Sequence, residues 1–253
     1  MMTVMSFTFD PQRTAEDLHA LRKATAKTGS VPSWSYSALK NYESCPHRIY
    51  LSKVEKHPEP SSAAMDRGTA IHLLGEEFVQ GNIIDLPQEL EKFKTEFTTL
   101  RERYNQAKVI LEQDWGFTRD WGITGWSSLD TWLRMKLDAY VQHDDQSATI
   151  IDYKTGRKFG NEINHLQQAQ LYAIGAFKRF PLLQYVECEF WYLDKGETLS
   201  KKYTREEAEQ FVPKWDMRGI QMTSDTSFTP NPSKYNCKWC PHLKTEVCKW
   251  GVA

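Results

Sequence analysis

The stretch that most constrains this chain runs from Trp132 to Gly156. Between Trp132 and Val141, apolar and polar residues alternate. Leu133, Met135, Leu137, Ala139 and Val141 fall on one face, and Arg134, Lys136, Asp138 and Tyr140 on the other. A period of two is that of a half-buried strand. After the polar turn HDDQS, the run ATIIDYKTG (148–156) reads as a second strand, rich in β-branched residues. Ile163–Phe180 has helical spacing, Gln184–Leu193 alternates again, and Thr198–Tyr203 follows a DKGE turn. An order of strand, strand, helix, strand, strand commits the chain to an α/β fold, a mixed central sheet flanked by helices.

The flanks are read more coarsely. Ser35 or Ser37 can cap a helix through Ser37–Tyr50. Arg67–Gln80 has helical spacing and closes at Gly81. Pro87–Asp114 reads as one longer charged helix, and residues 115–131, rich in Trp, Gly and Thr, as a strand with loops. Thr204 and Glu207 form a T-x-x-E capping box for a last helix, which Pro213 is placed to kink. Residues 1–33 hold one short helical stretch and read as an appendage. The expected division is therefore 1–33, a main domain over 34–227, and a cysteine-rich segment over 228–253 that recruits Cys45. No apolar run approaches the roughly 18 residues of a membrane span, so no membrane partner is expected. The first 30 residues lack an apolar signal core, which predicts a cytoplasmic protein.

Chemistry concentrates on the two central strands. Asp152 and Lys154 are two apart, so they project from one face while Tyr153 points away. With Asp138 on the neighbouring strand, two acids and a lysine suit a hard divalent ion, Mg²⁺ or Mn²⁺, and a water nucleophile. On the following helix, Leu166, Ala169, Ala173, Ala176, Phe177 and Phe180 make a core stripe. His165, Gln168, Tyr172, Gly175 and Arg179 make another, on which Gln168 and Tyr172 stand one turn apart. That separation predicts that replacing Gln168 or Tyr172 spares the fold.

Five cysteines in a chain without a secretory signal argue against a disulfide framework. Cys237, Cys240 and Cys248 crowd into CKWCPHLKTEVC, and a C-x2-C pair suits a metal or cluster. Cys188 shares a strand face with Val186, Phe190 and Tyr192 and reads as packing. Cys45, in the polar segment YESCPHRIY, is the better fourth ligand. Basic residues flank these cysteines. Residues 33–58 carry four Lys or Arg against two acids, and residues 233–250 four Lys against one acid. If the cysteines draw these segments together, they form a positive surface for phosphate backbones, with Trp239, Tyr235 or Tyr42 available for stacking.

The set G-x3-H (Gly68 to His72), Asp138, D-Y-K (Asp152 to Lys154) and Q-x3-Y (Gln168 to Tyr172) resembles the RecB-type branch of the PD-(D/E)XK nucleases. With the cysteines included, it is similar to the iron–sulfur members, CRISPR-associated and AddB-type, over about 35–250. Two departures stand out. The last cysteine gap is seven residues where those families commonly have five, and Leu137 rather than proline precedes Asp138.

The resemblance implies a restriction-endonuclease-like core with a helical N-terminal part and a cysteine-rich C-terminal clasp. His72, Asp138, Asp152 and the Tyr153 carbonyl would hold the metal, and Lys154 would be the catalytic lysine. Gln168 and Tyr172 would contact DNA or steady the site. Cys45, Cys237, Cys240 and Cys248 would surround a 4Fe–4S cluster. It further implies a DNA exonuclease in recombination, repair or processing, with a recombination or CRISPR-adaptation protein as partner. Three rivals stay open: a zinc clasp with His242 as spare ligand, a non-catalytic DNA-binding subunit, and an interaction protein whose acids are surface charge.

Overall fold

In the computed structural model, residues 30–156 and 158–252 are described. They divide into two compact units. Among them, the larger comprises Pro32–Tyr36 and Ser61–Ile220, and the smaller includes Ser37–Pro60 and residues 221–252.

The larger unit is built on one mixed sheet. Its strands are β1 (Trp34–Ser35), β2 (Val109–Phe117), β3 (Ile123–Thr124), β4 (Leu133–Gln142), β5 (Ser147–Lys154), β6 (Tyr185–Tyr192) and β7 (Glu197–Thr204). The spatial order is β3-β2-β4-β5-β6-β7, with β1 paired to β4. The β5–β6 pair is parallel, and a helix over Glu162–Arg179 supplies the crossover that a parallel pair needs. The expected α/β class and central sheet are thus present, and the capping box closes as read. The Thr204 N–H donates to Glu207 Oε2 at 2.9 Å, and the Glu207 N–H to Thr204 Oγ1 at 3.1 Å.

One helix of the sequence reading is overturned. Pro87–Asp114 is not a single helix. A 3₁₀ turn spans Gln88–Phe93, an α-helix Lys94–Asn105, and Val109–Phe117 is strand β2. The reversal falls at Gln106–Ala107, where Ala107 takes a φ of 58°. Beyond it, Val109, Trp115 and Phe117 bury as a strand paired with β4. The charged helix pattern had concealed this apolar content.

A second correction concerns β4. Its odd-numbered residues do not share one face. Ala139 and Val141 pack in a cluster with Ile71, Phe78 and Phe97, whereas the Met135 sulfur lies under Gly175 of the crossover helix, on the opposite side of the sheet. The alternation breaks at Asp138. The facing position in β2 is Glu112, the pairing register skips both residues, and Glu112 takes a φ of 46°. There β4 also exchanges neighbours. Leu133 and Arg134 pair with β1, and pairing with β5 begins only at Ala139.

The helix over Ala63–Gln80 covers one face of the sheet. Ser62 caps it by accepting from the Met65 N–H at 3.3 Å, and Gly81 ends it with a φ of 85°. Gly68, His72 and Gly75 lie along one face of this helix. A Cβ on Gly68 would stand 3.3 Å from Thr155 Oγ1, and one on Gly75 would stand 3.2 Å from the Tyr153 ring and 3.3 Å from the Phe97 ring. The two glycines therefore let the helix lie close on β5 and bring His72 to it. Gly75→Leu is expected to lower stability by about 1–3 kcal/mol through overpacking, read as a lower urea midpoint.

In the smaller unit, the expected helix Ser37–Tyr50 is interrupted. It runs Tyr36–Ser44, breaks at Cys45, and resumes over Pro46–Ile49, followed by a π-helical turn at Tyr50–Val54. Pro46 drives Cys45 into an extended conformation, φ −157° and ψ 103°. The appendage expected over 1–33, with its short helical stretch, lies outside the described residues except for its last four positions.

Candidate active site

The broken pairing beside Asp138 leaves backbone groups that side chains take over. The Tyr153 N–H donates to Asp138 Oδ2 at 2.5 Å. The Lys136 carbonyl accepts from the Tyr172 hydroxyl at 2.9 Å. His72 Nδ1 lies 3.0 Å from Asp138 Oδ1. Burial pushes the Asp138 carboxyl above its usual range and the charge of Asp152 adds to this, against the opposing His72 and Tyr153 hydrogen bonds. For His72, burial works to lower the pKa. The hydrogen bond and charge of Asp138 outweigh it, and the imidazole is raised.

Asp152 is served from the crossover helix. Its Oδ2 accepts from the Tyr172 hydroxyl at 2.7 Å and from Gln168 Nε2 at 3.0 Å. Its Oδ1 lies 2.5 Å from Lys154 Nζ, yet this buried atom receives no hydrogen bond of good geometry. Lys154 Nζ also donates to Gln168 Oε1 at 3.3 Å and stands 5.4 Å from the centre of the Phe190 ring. Asp138 with His72, and Asp152 with Lys154, Gln168 and Tyr172, thus form two groups on neighbouring strands, and the charge of Asp152 acts on Asp138. Tyr153 contributes its N–H to Asp138, while its ring packs 5.1 Å from Phe97.

The residues present suit a divalent ion. Carboxylate oxygens are the donors hard cations prefer, and the cation beside Asp152 Oδ1 is the Lys154 ammonium, which a divalent ion would have to displace. Among the described residues, no three His, Cys, Asp or Glu side chains are arranged as a finished metal site. His72 and Asp138 are instead engaged with one another, and Asp152 with Lys154 and the crossover helix.

Three supporting residues were not singled out for this site. Phe190 underlies Lys154. Tyr192 pairs in register with Lys154, and its hydroxyl lies 2.5 Å from His165 Nδ1. Burial, followed by the charge of Lys154, lowers the His165 pKa to about 4, so the imidazole is neutral at neutral pH. The third is Glu112, 2.8 Å from Lys136 Nζ. In the sequence Phe190 and Tyr192 read as core packing, and only their register with Asp152 and Lys154 reveals the second role.

The expectation that loss of Tyr172 spares the fold is corrected. Tyr172 is 4% exposed, and Leu171, Ala173, Ile174, Gly175, Ala176 and Phe177 are buried around it. Both stripes are covered because this helix lies against the sheet along its site stripe as well. Tyr172→Ala is expected to cost about 3–5 kcal/mol, as loss of a buried aromatic does. Tyr172→Phe keeps the ring, is expected to leave the melting temperature within a few degrees, and isolates the loss of the hydroxyl bonded to Asp152. Parallel melting curves and cleavage rates check both.

In the smaller unit, Cys45, Cys237, Cys240 and Cys248 line one cavity. Burial raises the Cys45 thiol pKa, hydrogen bonds from the Asn231 and Arg48 N–H groups oppose this, and Cys248 and Cys240 raise it further. Burial likewise raises Cys248, beside Cys240 and Cys237. The four thiols line this cavity, yet among the described residues no three of them are arranged to hold a metal ion. His242 is fully buried, with Nε2 3.2 Å from Glu59 Oε1, and Arg48 Nη2 stands 3.1 Å from Glu59 Oε2. Tyr235 and Trp239 are exposed, and Lys238 Nζ lies 5.1 Å from the Trp239 ring. Tyr42 is not available for stacking. It is buried, with its hydroxyl 2.8 Å from Asp225 Oδ2. In the larger unit Cys188 is buried, its thiol directed at the Ala169 carbonyl.

Two acids and a lysine gathered on the central strands of a mixed sheet suit a metal-assisted hydrolase. The chain belongs to the PD-(D/E)XK nuclease superfamily, which matches residues 33–249. Members of this superfamily are hydrolases that generally use divalent metals such as Mg²⁺, and DNA is the implied substrate. The crystal structure of SSO0001 is similar at 15% identity and a TM-score of 0.45, covering 94% of this chain and 97% of that one. No curated protein matches. No helix among the described residues is long and apolar enough to cross a membrane.

Proposed function

We propose that this chain is a DNA exonuclease of the RecB-type branch that hydrolyses phosphodiester bonds from an end in recombination, repair or processing. The observation that carries this reading is the buried Asp152 carboxylate beside Asp138, held by Gln168 and Tyr172 at Oδ2 and ion paired at Oδ1 with Lys154 at 2.5 Å. An ion bound there, Mg²⁺ or Mn²⁺, would polarise a phosphoryl oxygen and lower the pKa of a water. His72, Asp138, Asp152 and the Tyr153 carbonyl would hold it. Lys154 orients the attacking water and stabilises charge on the phosphate. Gln168 and Tyr172 hold Asp152 Oδ2, so that Oδ1 keeps one direction, toward Lys154.

Cys45, Cys237, Cys240 and Cys248 are proposed to hold a 4Fe–4S cluster, supported by the cavity they share and by the likeness to iron–sulfur nucleases. The proposed division is a catalytic domain over 34–227 and a cysteine-rich segment over 228–253 with Cys45, in a cytoplasmic protein.

Digestion of end-labelled single- and double-stranded DNA with Mg²⁺, Mn²⁺ or EDTA tests the activity. Stepwise release of nucleotides with either metal, abolished by EDTA, is expected. Nicking of closed circular DNA at the same rate would overturn the exonuclease assignment.

A further inference from the structure

Two large apolar side chains stand in solvent just beyond β5. Phe159 is 83% exposed, and Ile163, at the start of the crossover helix, is 74% exposed. They lie in the sequence between Lys154 and Gln168, both of which contact Asp152.

The turn that carries Phe159 is anchored. The Asn161 N–H donates to the Lys158 carbonyl at 2.9 Å, and the Gly160 N–H to Glu162 Oε2 at 2.7 Å. Gly160 takes a φ of 84°, which the turn requires and a side chain would resist. Lys158 Nζ reaches the Thr198 carbonyl at 3.4 Å and Glu197 Oε2 at 3.6 Å. Glu197 pairs with Tyr192, and Tyr192 with Lys154, so the turn is docked onto the strand ends that carry the catalytic lysine. The surroundings are open, since a Cβ on Gly156 or Gly160 would meet nothing within 4 Å. Met65, 63% exposed, lies within a turn of Gly68, which touches Thr155 just after the lysine.

We propose that Phe159, flanked by Ile163, is a stacking platform for an unpaired base of the nucleotide next to the phosphate held at Asp152 and Lys154. This rests on the nuclease reading and narrows its substrate to strands whose terminal bases are unpaired. A base inside a duplex already stacks on its neighbours, and a protein ring takes its face only once it is splayed or single-stranded. A turn already held by its own hydrogen bonds has less backbone freedom to lose on binding, which favours such a contact.

The test uses full-length Lys154→Ala protein, which is expected not to consume its probe, with and without Phe159→Ala. Affinities are measured for a labelled single-stranded oligonucleotide, the same oligonucleotide made abasic over its terminal nucleotides, and a blunt duplex. Phe159→Ala is expected to weaken binding of the intact single strand about tenfold, within the span stacking supplies. It is expected to change neither the abasic strand nor the duplex, and Phe159→Trp to restore binding. Equal affinity of the two proteins for the intact strand, or an equal loss on the abasic one, would overturn the platform. So would conversion of a dimer to a monomer by Phe159→Ala, seen by sedimentation, because the patch would then be a contact between copies. If the Lys154→Ala protein binds no DNA of any form, the nuclease reading fails first and the platform with it.

Discussion

Asp152→Asn is expected to reduce cleavage by about a thousandfold or more, with the protein still folded. The substitution keeps shape and removes charge. One oxygen of Asp152 is held by Gln168 and Tyr172, and the other has no hydrogen bond and faces Lys154. The fold has therefore fixed the direction of a charge that is shared between the crossover helix and Lys154. Removing one preorganised group from a reacting centre costs about 10²–10³ in rate, and here the metal contact goes as well. Asp138→Ala is expected to behave similarly. Lys154→Ala is expected to abolish cleavage while calorimetry still detects Mn²⁺ binding, because the carboxylates remain. Initial rates of nucleotide release and a metal titration on each variant separate these cases. Wild-type activity in Asp152→Asn would sink the assignment.

The second large effect concerns the thiol cavity. Protein purified without oxygen is expected to be brown and to contain iron and sulfide. Cys45→Ser, Cys237→Ser, Cys240→Ser and Cys248→Ser are each expected to lose the colour and melt lower. Cys45 lies far in sequence from the other three, so the cluster would close a very long loop. By the chain-entropy estimate, such a closure is worth about 5 kcal/mol. Cys188→Ser is expected to keep the colour, since that thiol is buried against the Ala169 carbonyl. Colourless anaerobic protein with one zinc per chain would replace the cluster by a zinc clasp. Colour that survives Cys45→Ser would remove Cys45 from the ligand set.

Much of the sheet from Leu133 to Thr204 was legible because period-two alternation and β-branched runs are local signals. The pairing of Asp152 with Lys154 on one face, and of Gln168 with Tyr172 on one helix stripe, followed from the same periods. Strand β2 was missed because Glu112, Gln113 and Asp114 extend the charged pattern of the preceding helix, and only pairing with β4 makes them strand. The change of face at Asp138 was illegible for a different reason. Strict alternation assumes an unbroken ladder, and the break depends on β4 exchanging β1 for β5, a long-range event. Burial of Tyr42 and Tyr172 likewise depends on partners distant in sequence, Asp225 and Lys136.

That exchange of neighbours has a spectroscopic consequence. The Tyr153 amide proton rests on the Asp138 carboxylate rather than on a strand carbonyl. Its chemical shift is therefore tied to the electron density of one acid. When Asp138 gives up density to a cation, this resonance is expected to move further than amides in the intact ladder at Ile150 and Ile151. The molecule thus carries its own isotope-visible gauge of ligation, readable by titration in solution without a substrate present.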